Sequence, residues 1–178
     1  KHGKGTIHYT DHSKYVGEFK FDELHGKCKY IFSDGMYYIG NMKLGNITGY
    51  GSLYTADKKL VYKGYWLDNL YNGKGTYYED GNIYYNGKWS AGCCHGVGVI
   101  YDDKGKKCYK AIFNKGKIDK VLQKYYYIKP TIKYSNNKIM EIPTIKSKPG
   151  TQSVVNPAHN LNIVQRHKIS TPKTIKLN

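Results

Sequence analysis

Glycine returns at a nearly constant stride through the first two thirds of the chain. Gly3, Gly26, Gly49, Gly73 and Gly96 are 23, 23, 24 and 23 residues apart, and each follows His or a small polar residue (His2, His25, Thr48, Asn72, His95). Two residues further on stand Gly5, Cys28, Gly51, Gly75 and Gly98. A second signature keeps the same period: Tyr15-x-Gly17-x-Phe19, Tyr38-x-Gly40-x-Met42, Tyr62-x-Gly64-x-Trp66 and Tyr85-x-Gly87-x-Trp89, with a decayed copy at Tyr109-x-Ala111-x-Phe113. Each of the first four tyrosines precedes the next loop glycine by 11 residues. Two features locked in phase over five copies define an internal repeat, and a period of this length belongs to stacked supersecondary units.

Each unit reads as a β-hairpin. Tyr, Gly and Trp/Phe at alternate positions fall on one face of a strand. A polar loop follows, as at 20–24 and 90–94, and a second strand is expected to start at the Gly-x-Gly and run into aromatics such as Tyr30, Tyr77 and Ile100-Tyr101. Asp34-Gly35 and Asp80-Gly81 close units with a strong hairpin signal, since Gly accepts positive φ without steric cost. The strand glycines Gly17, Gly40, Gly64 and Gly87 would leave notches, and the expectation is that a ring from the neighbouring hairpin fills each one. Composition agrees with a thin structure of half-buried rings: 20 Tyr and 20 Gly stand beside only 4 Phe and 2 Trp in 178 residues. No run approaches the roughly 20 apolar residues of a membrane-spanning helix.

These residues resemble the MORN repeat (membrane occupation and recognition nexus), whose pattern is Tyr-x-Gly-x-Trp/Phe, a loop, then a small residue or His before Gly-x-Gly-x-aromatic. The resemblance covers about residues 1–117, with departures at Cys28, Met42 and Ala111. It implies an all-β fold: an elongated, twisted, single-layer antiparallel sheet of stacked hairpins. It implies no activity. The groove residues it singles out are Tyr15, Gly17, Phe19, Tyr38, Gly40, Tyr62, Gly64, Trp66, Tyr85, Gly87, Trp89 and Tyr109.

After the repeats the period changes. Ile118, Val121, Leu122 and Tyr125 are spaced i, i+3, i+4 and i+7, which predicts a short helix over 118–128 with Asp119 as N-cap, covering the open end of the sheet. Residues 129–178 hold all five prolines and no period. Residues 119–178 carry 11 Lys+Arg against Asp119 and Glu141, hence +9 of the net +16; the repeats supply +7, from 18 Lys+Arg and 11 Asp+Glu. An extended basic tail is expected. Its cationic residues (Lys129, Lys133, Lys138, Lys146, Lys148, Arg166, Lys168, Lys173, Lys176) are the candidate partner-binding set. Short apolar beats such as Val154-Val155 and Ile175 with Leu177 suit anchoring in a groove or strand addition to an exposed edge, on a partner or on the chain's own repeats.

No catalytic, cofactor or metal site is expected. His2, His25 and His95 share one repeat position, read as a turn, that Thr48 and Asn72 fill elsewhere. His95 beside Cys93 and Cys94 lacks a fourth ligand at usable spacing. Gly3-Lys4-Gly5 and Gly73-Lys74-Gly75 lack the Lys-Ser/Thr and the helix of a phosphate loop. Cys28, Cys93, Cys94 and Cys108 form no framework and read as reduced thiols. A ratio of 28 Lys to one Arg argues against nucleic acid. The expected role is a non-enzymatic scaffold in a large assembly (cytoskeletal, axonemal or a virion shell), with an intracellular or virion location. An acidic-phospholipid-binding module and a regulatory arm of a larger enzyme are the alternatives, the second because residue 1 is Lys rather than Met. Edge-to-edge self-association is the expected route to any oligomer.

Overall fold

The computed structural model describes residues 2–125 and, as backbone, the strand at 172–177. It is a twelve-stranded antiparallel sheet in one layer. Its strands are β1 (Gly3–Tyr9), β2 (Lys14–Lys20), β3 (Glu23–Ile31), β4 (Tyr37–Lys43), β5 (Asn46–Tyr54), β6 (Leu60–Leu67), β7 (Leu70–Glu79), β8 (Asn82–Ser90), β9 (Cys93–Tyr101), β10 (Lys107–Asn114), β11 (Lys117–Lys124) and β12 (Pro172–Leu177). β1 to β11 follow one another as a meander, and β12 pairs with β1 at the far end.

Turn chemistry decides the strand limits. Along one edge the hairpins close on two residues with positive φ, at Leu44-Gly45, Asp68-Asn69 and Ala91-Gly92, the pattern whose twist matches that of paired strands. Phe21-Asp22 does the same, so the expected five-residue loop over 20–24 is a tight turn and Leu24 is buried on β3. These turns are stacked. The amide of Gly45 donates to the Leu24 carbonyl, Asn69 to Ile47, Gly92 to Tyr71 and Gly116 to Cys94, all at 2.9–3.2 Å and all reaching back one repeat. The other edge closes β7 to β8 with the two-residue turn Asp80-Gly81 and otherwise uses longer loops held by side chains, as where Asp34 Oδ1 accepts from the Met36 amide at 3.0 Å, and Asp102 Oδ1 from Lys104 and Lys106 at 3.0 and 2.8 Å.

The helix expected over 118–128 is absent from the described part of that span. Lys117–Lys124 is strand β11, paired with β10, and 126–128 lie outside the described residues. Two register shifts in the β10–β11 pairing, at Lys110/Ala111 and Ile112/Phe113, break the strict alternation of side chains. The apolar residues therefore fall at irregular intervals that imitate a helical period. Val121 and Leu122 are exposed, so this is no core face.

Candidate functional site

The core lies along one face of the sheet and is built from rings. Tyr15, Tyr38, Tyr62 and Tyr85 are wholly buried, although only one layer of backbone lies behind them. Their rings fold along the sheet over the glycines of their own strand. A Cβ at Gly64 would meet the Tyr62 hydroxyl at 2.6 Å, the Gly75 Cα at 2.5 Å and the Lys74 carbonyl at 2.7 Å. The same Tyr62 ring also covers Gly75 on the next strand; likewise Tyr38 covers Gly40 and Gly51, and Tyr85 covers Gly87 and Gly98. The expectation that a neighbouring hairpin fills the notch is corrected here: the tyrosine two residues earlier on the same strand fills it.

This placement satisfies the hydroxyls. Tyr62 donates to the Tyr65 carbonyl at 2.9 Å, Tyr85 to Lys88 at 3.0 Å and Tyr15 to Glu18 at 2.6 Å, three residues on in each case. The pairing slips there: Gly17 faces Cys28, but Glu18 faces His25, with Gly26 and Lys27 bulged out between. Gly26, Gly49, Gly73 and Gly96 have φ of 66°, 68°, 67° and 62°, which accounts for the first glycine of the motif, while Gly51, Gly75 and Gly98 at its second position lie under a ring. His25 and His95 accordingly sit in strands just before the bulge and not in turns.

Neighbouring hairpins meet ring to ring. Trp66 stands edge-on to both Tyr38 and Tyr62, with centroids 5.3 and 5.1 Å away, and Trp89 to both Tyr62 and Tyr85, at 5.5 and 5.1 Å. Phe113 continues the series against Tyr85 at 5.1 Å. Edge-to-face contacts of this kind add about 0.5–1.5 kcal/mol each beyond area burial. Indole nitrogens tie the series to the backbone, Trp66 Nε1 donating to the Gly51 carbonyl at 3.2 Å and Trp89 Nε1 to Gly75 at 3.1 Å. Phe19 packs edge-on against Tyr15, and Met42 is buried at the corresponding repeat position without a ring. Tyr109 is half-buried, and Ala111 is wholly buried opposite Gly98. Sequence reading missed Tyr71. It lies stacked on Tyr62, and its hydroxyl has no partner among the described residues.

The opposite face is basic. Lys4, Lys27, Lys29, Lys63, Lys74, Lys88 and Lys110 alternate with the buried positions, and Glu18 is the acid among them. The other acids of the repeats stand in or beside turns (Asp11, Asp22, Glu23, Asp34, Asp57, Asp68, Glu79, Asp80, Asp102, Asp103). Lys74 and Lys88 are direct cross-strand partners, a like-charge pairing that costs stability. Exposed Tyr50 and Tyr65 pack edge-on on this face at 5.3 Å. Of the cationic tail set, Lys173 and Lys176 fall in β12; Lys129, Lys133, Lys138, Lys146, Lys148, Arg166 and Lys168 lie outside the described residues.

Among the described residues no three or more His, Cys, Asp or Glu are grouped as metal ligands would be. Burial pushes the Cys28 and Cys94 thiols up to about 12, so both are held protonated and unreactive.

A meander of hairpins with ring-over-glycine packing and a 23-residue period defines a repeat protein of the open β-ribbon class. The MORN-repeat pattern matches residues 1–14, 15–37, 38–58, 62–83 and 85–107, more than half of the chain, and the chain belongs to that family. Such repeats serve protein or membrane interactions and are generally non-catalytic. A whole-chain comparison with characterised proteins finds no match.

Proposed function

We propose that the chain is a non-enzymatic scaffold whose repeats form a stiff interaction ribbon, and whose basic C-terminal stretch ties it to neighbours in a large assembly. The observation that carries this reading is the double linkage between repeats. The rings from Tyr38 to Phe113 touch in an unbroken series, and the turns on one edge are hydrogen-bonded to their counterparts one repeat earlier. Bending such a ribbon breaks both sets of contacts at once, so its binding groups keep fixed spacings. A cytoskeletal structure, an axoneme or a virion shell would use that property. Sedimentation of a native extract tests it: the scaffold reading expects the chain in large particles, and recovery as free monomer overturns it.

A second reading is favoured by the basic face. Lysines spread over one side of a single-layer sheet, with exposed Tyr50, Tyr65 and Ile39 among them, suit an anionic phospholipid surface, at about 1 kcal/mol per lysine near the headgroups. Flotation with vesicles containing phosphatidylserine or phosphoinositide tests it. Binding that fades with salt supports it, and equal recovery with neutral vesicles excludes it.

A further inference from the structure

We propose that the outer edge of β1 is a strand-docking site that accepts β12 from a second copy of this chain, so that copies join by exchanging their C-terminal strands. This deepens the scaffold reading, on which it rests for its relevance though not for its geometry.

Among the described residues β12 is bonded to β1 alone, antiparallel, with Gly5 opposite Leu177, Thr6 opposite Lys176, Ile7 opposite Ile175 and His8 opposite Thr174. No other element packs against it to a comparable extent. The interface is therefore a backbone ladder on a sheet edge, and a ladder does not distinguish whose strand fills it. β1 is the first strand of the meander, so its outer edge offers a row of amides and carbonyls that a docked strand pairs.

The tether is the second observation. Residues 125–171, 47 in all, separate β11 from β12. Returning from β11 to β1 within one molecule crosses ten strand spacings of about 4.8 Å, or about 48 Å. A chain of that length reaches up to about 155 Å at about 3.3 Å per residue. The connection exceeds the internal path about threefold and reaches the β1 edge of an adjacent copy equally well. Strand order allows growth beyond a pair. β11 and β1 are the opposite ends of the meander, so the chain leaves each ribbon at the end opposite to the one that accepts a strand. Exchange that is not reciprocal between two copies thus links ribbons head to tail, an open arrangement.

Register gives the test. Directly opposed residues have Cβ atoms about 4.5–5.5 Å apart, near enough for a disulfide after a small adjustment. Two chains, one with Thr6→Cys and one with Lys176→Cys, are made on a Cys93→Ser/Cys108→Ser background. They are unfolded together in reductant, refolded at about 1 mM, the order of effective concentration that a tether supplies, and then oxidised. The expected result is a disulfide-linked pair of chains that forms in the mixture, is absent from either chain alone, and is lost when Ile175→Pro is added to the Lys176→Cys chain. A mixture that stays monomeric overturns the proposal. If a chain carrying both cysteines closes only on itself while the mixture stays monomeric, β12 docks within its own molecule. That outcome also overturns exchange and leaves the scaffold reading standing.

Discussion

The ring of Tyr71 lies flat against that of Tyr62, with centroids 3.7 Å apart and planes 12° apart, and it carries a buried hydroxyl that meets no partner among the described residues. The other copies place Leu24, Ile47 and Cys94 at this position, so the repeat needs an apolar body there and not a hydroxyl. An unsatisfied buried polar group costs about 1–3 kcal/mol. Tyr71→Phe keeps the stack and removes the orphan. It should raise stability by about 1 kcal/mol, read as a higher denaturant midpoint at unchanged slope. A lower midpoint would mean that the hydroxyl has a partner after all.

The notch glycines and the turn glycines should respond differently to alanine. At Gly64 an added Cβ meets backbone atoms at 2.5 and 2.7 Å, which cannot move aside cheaply. At Gly81 it meets nothing within 4 Å, and only φ of 84° opposes it. Gly64→Ala should cost about 3 kcal/mol, the upper end of overpacking costs. Gly81→Ala should cost about 1–2 kcal/mol, the left-handed penalty alone. Chemical denaturation of both variants ranks them, and the reverse order would refute the notch.

Removing the hydroxyl of a groove tyrosine isolates its bond. Tyr85→Phe loses the 3.0 Å donation to the Lys88 carbonyl and should cost about 1 kcal/mol. Tyr109→Phe, on the half-buried ring of the last copy, should be nearly neutral. Equal losses at the two positions would show that the groove bond is not what the hydroxyl contributes.

Burial gives the fold an alkaline limit. Cys28 and Cys94 are raised to about 12 from an ordinary 9, and Tyr62, Tyr85 and Tyr71 are raised above 10, by desolvation first in every case. The unfolded chain therefore releases protons at lower pH than the folded one. Stability from these groups is complete below about pH 9 and falls as the pH rises beyond it. Denaturant midpoints at about pH 8 and about pH 10.5 should differ, the second being lower. The same burial predicts that iodoacetamide labels Cys93 and Cys108 in the native protein, and Cys28 and Cys94 only after unfolding.

The strand glycines, the tyrosines two residues before them and the closing Asp-Gly pairs were all legible in the sequence, because each repeats in phase. The source of the ring in the notch was not. A period says that Tyr62 and Gly64 share a face, but whether the ring stands up or lies along its own strand depends on χ angles and on the carbonyl freed by the bulge after Gly64. Strand β11 was hidden for a related reason. Two register shifts scrambled the alternation of Ile118, Val121 and Leu122, and a scrambled strand reads as a short helix. Tyr71 went unnoticed because it occupies a place that looked like polar loop until the turn at Asp68-Asn69 proved to be only two residues long.

The basic face emerged only with the pairing register. Net charge gave the repeats +7, but the register separates face from edge, placing Lys27, Lys29, Lys63, Lys74 and Lys88 outward and most acids in the turns. In a scaffold that lays this ribbon against other molecules, those lysines lie within reach of its neighbours. Lysine-reactive cross-linking of native material followed by mass spectrometry is the most direct measurement. Cross-links from Lys27, Lys29, Lys63, Lys74 and Lys88 to other protein chains are expected at several repeats along one ribbon. Cross-links from these lysines only to residues of the same chain would contradict the scaffold reading.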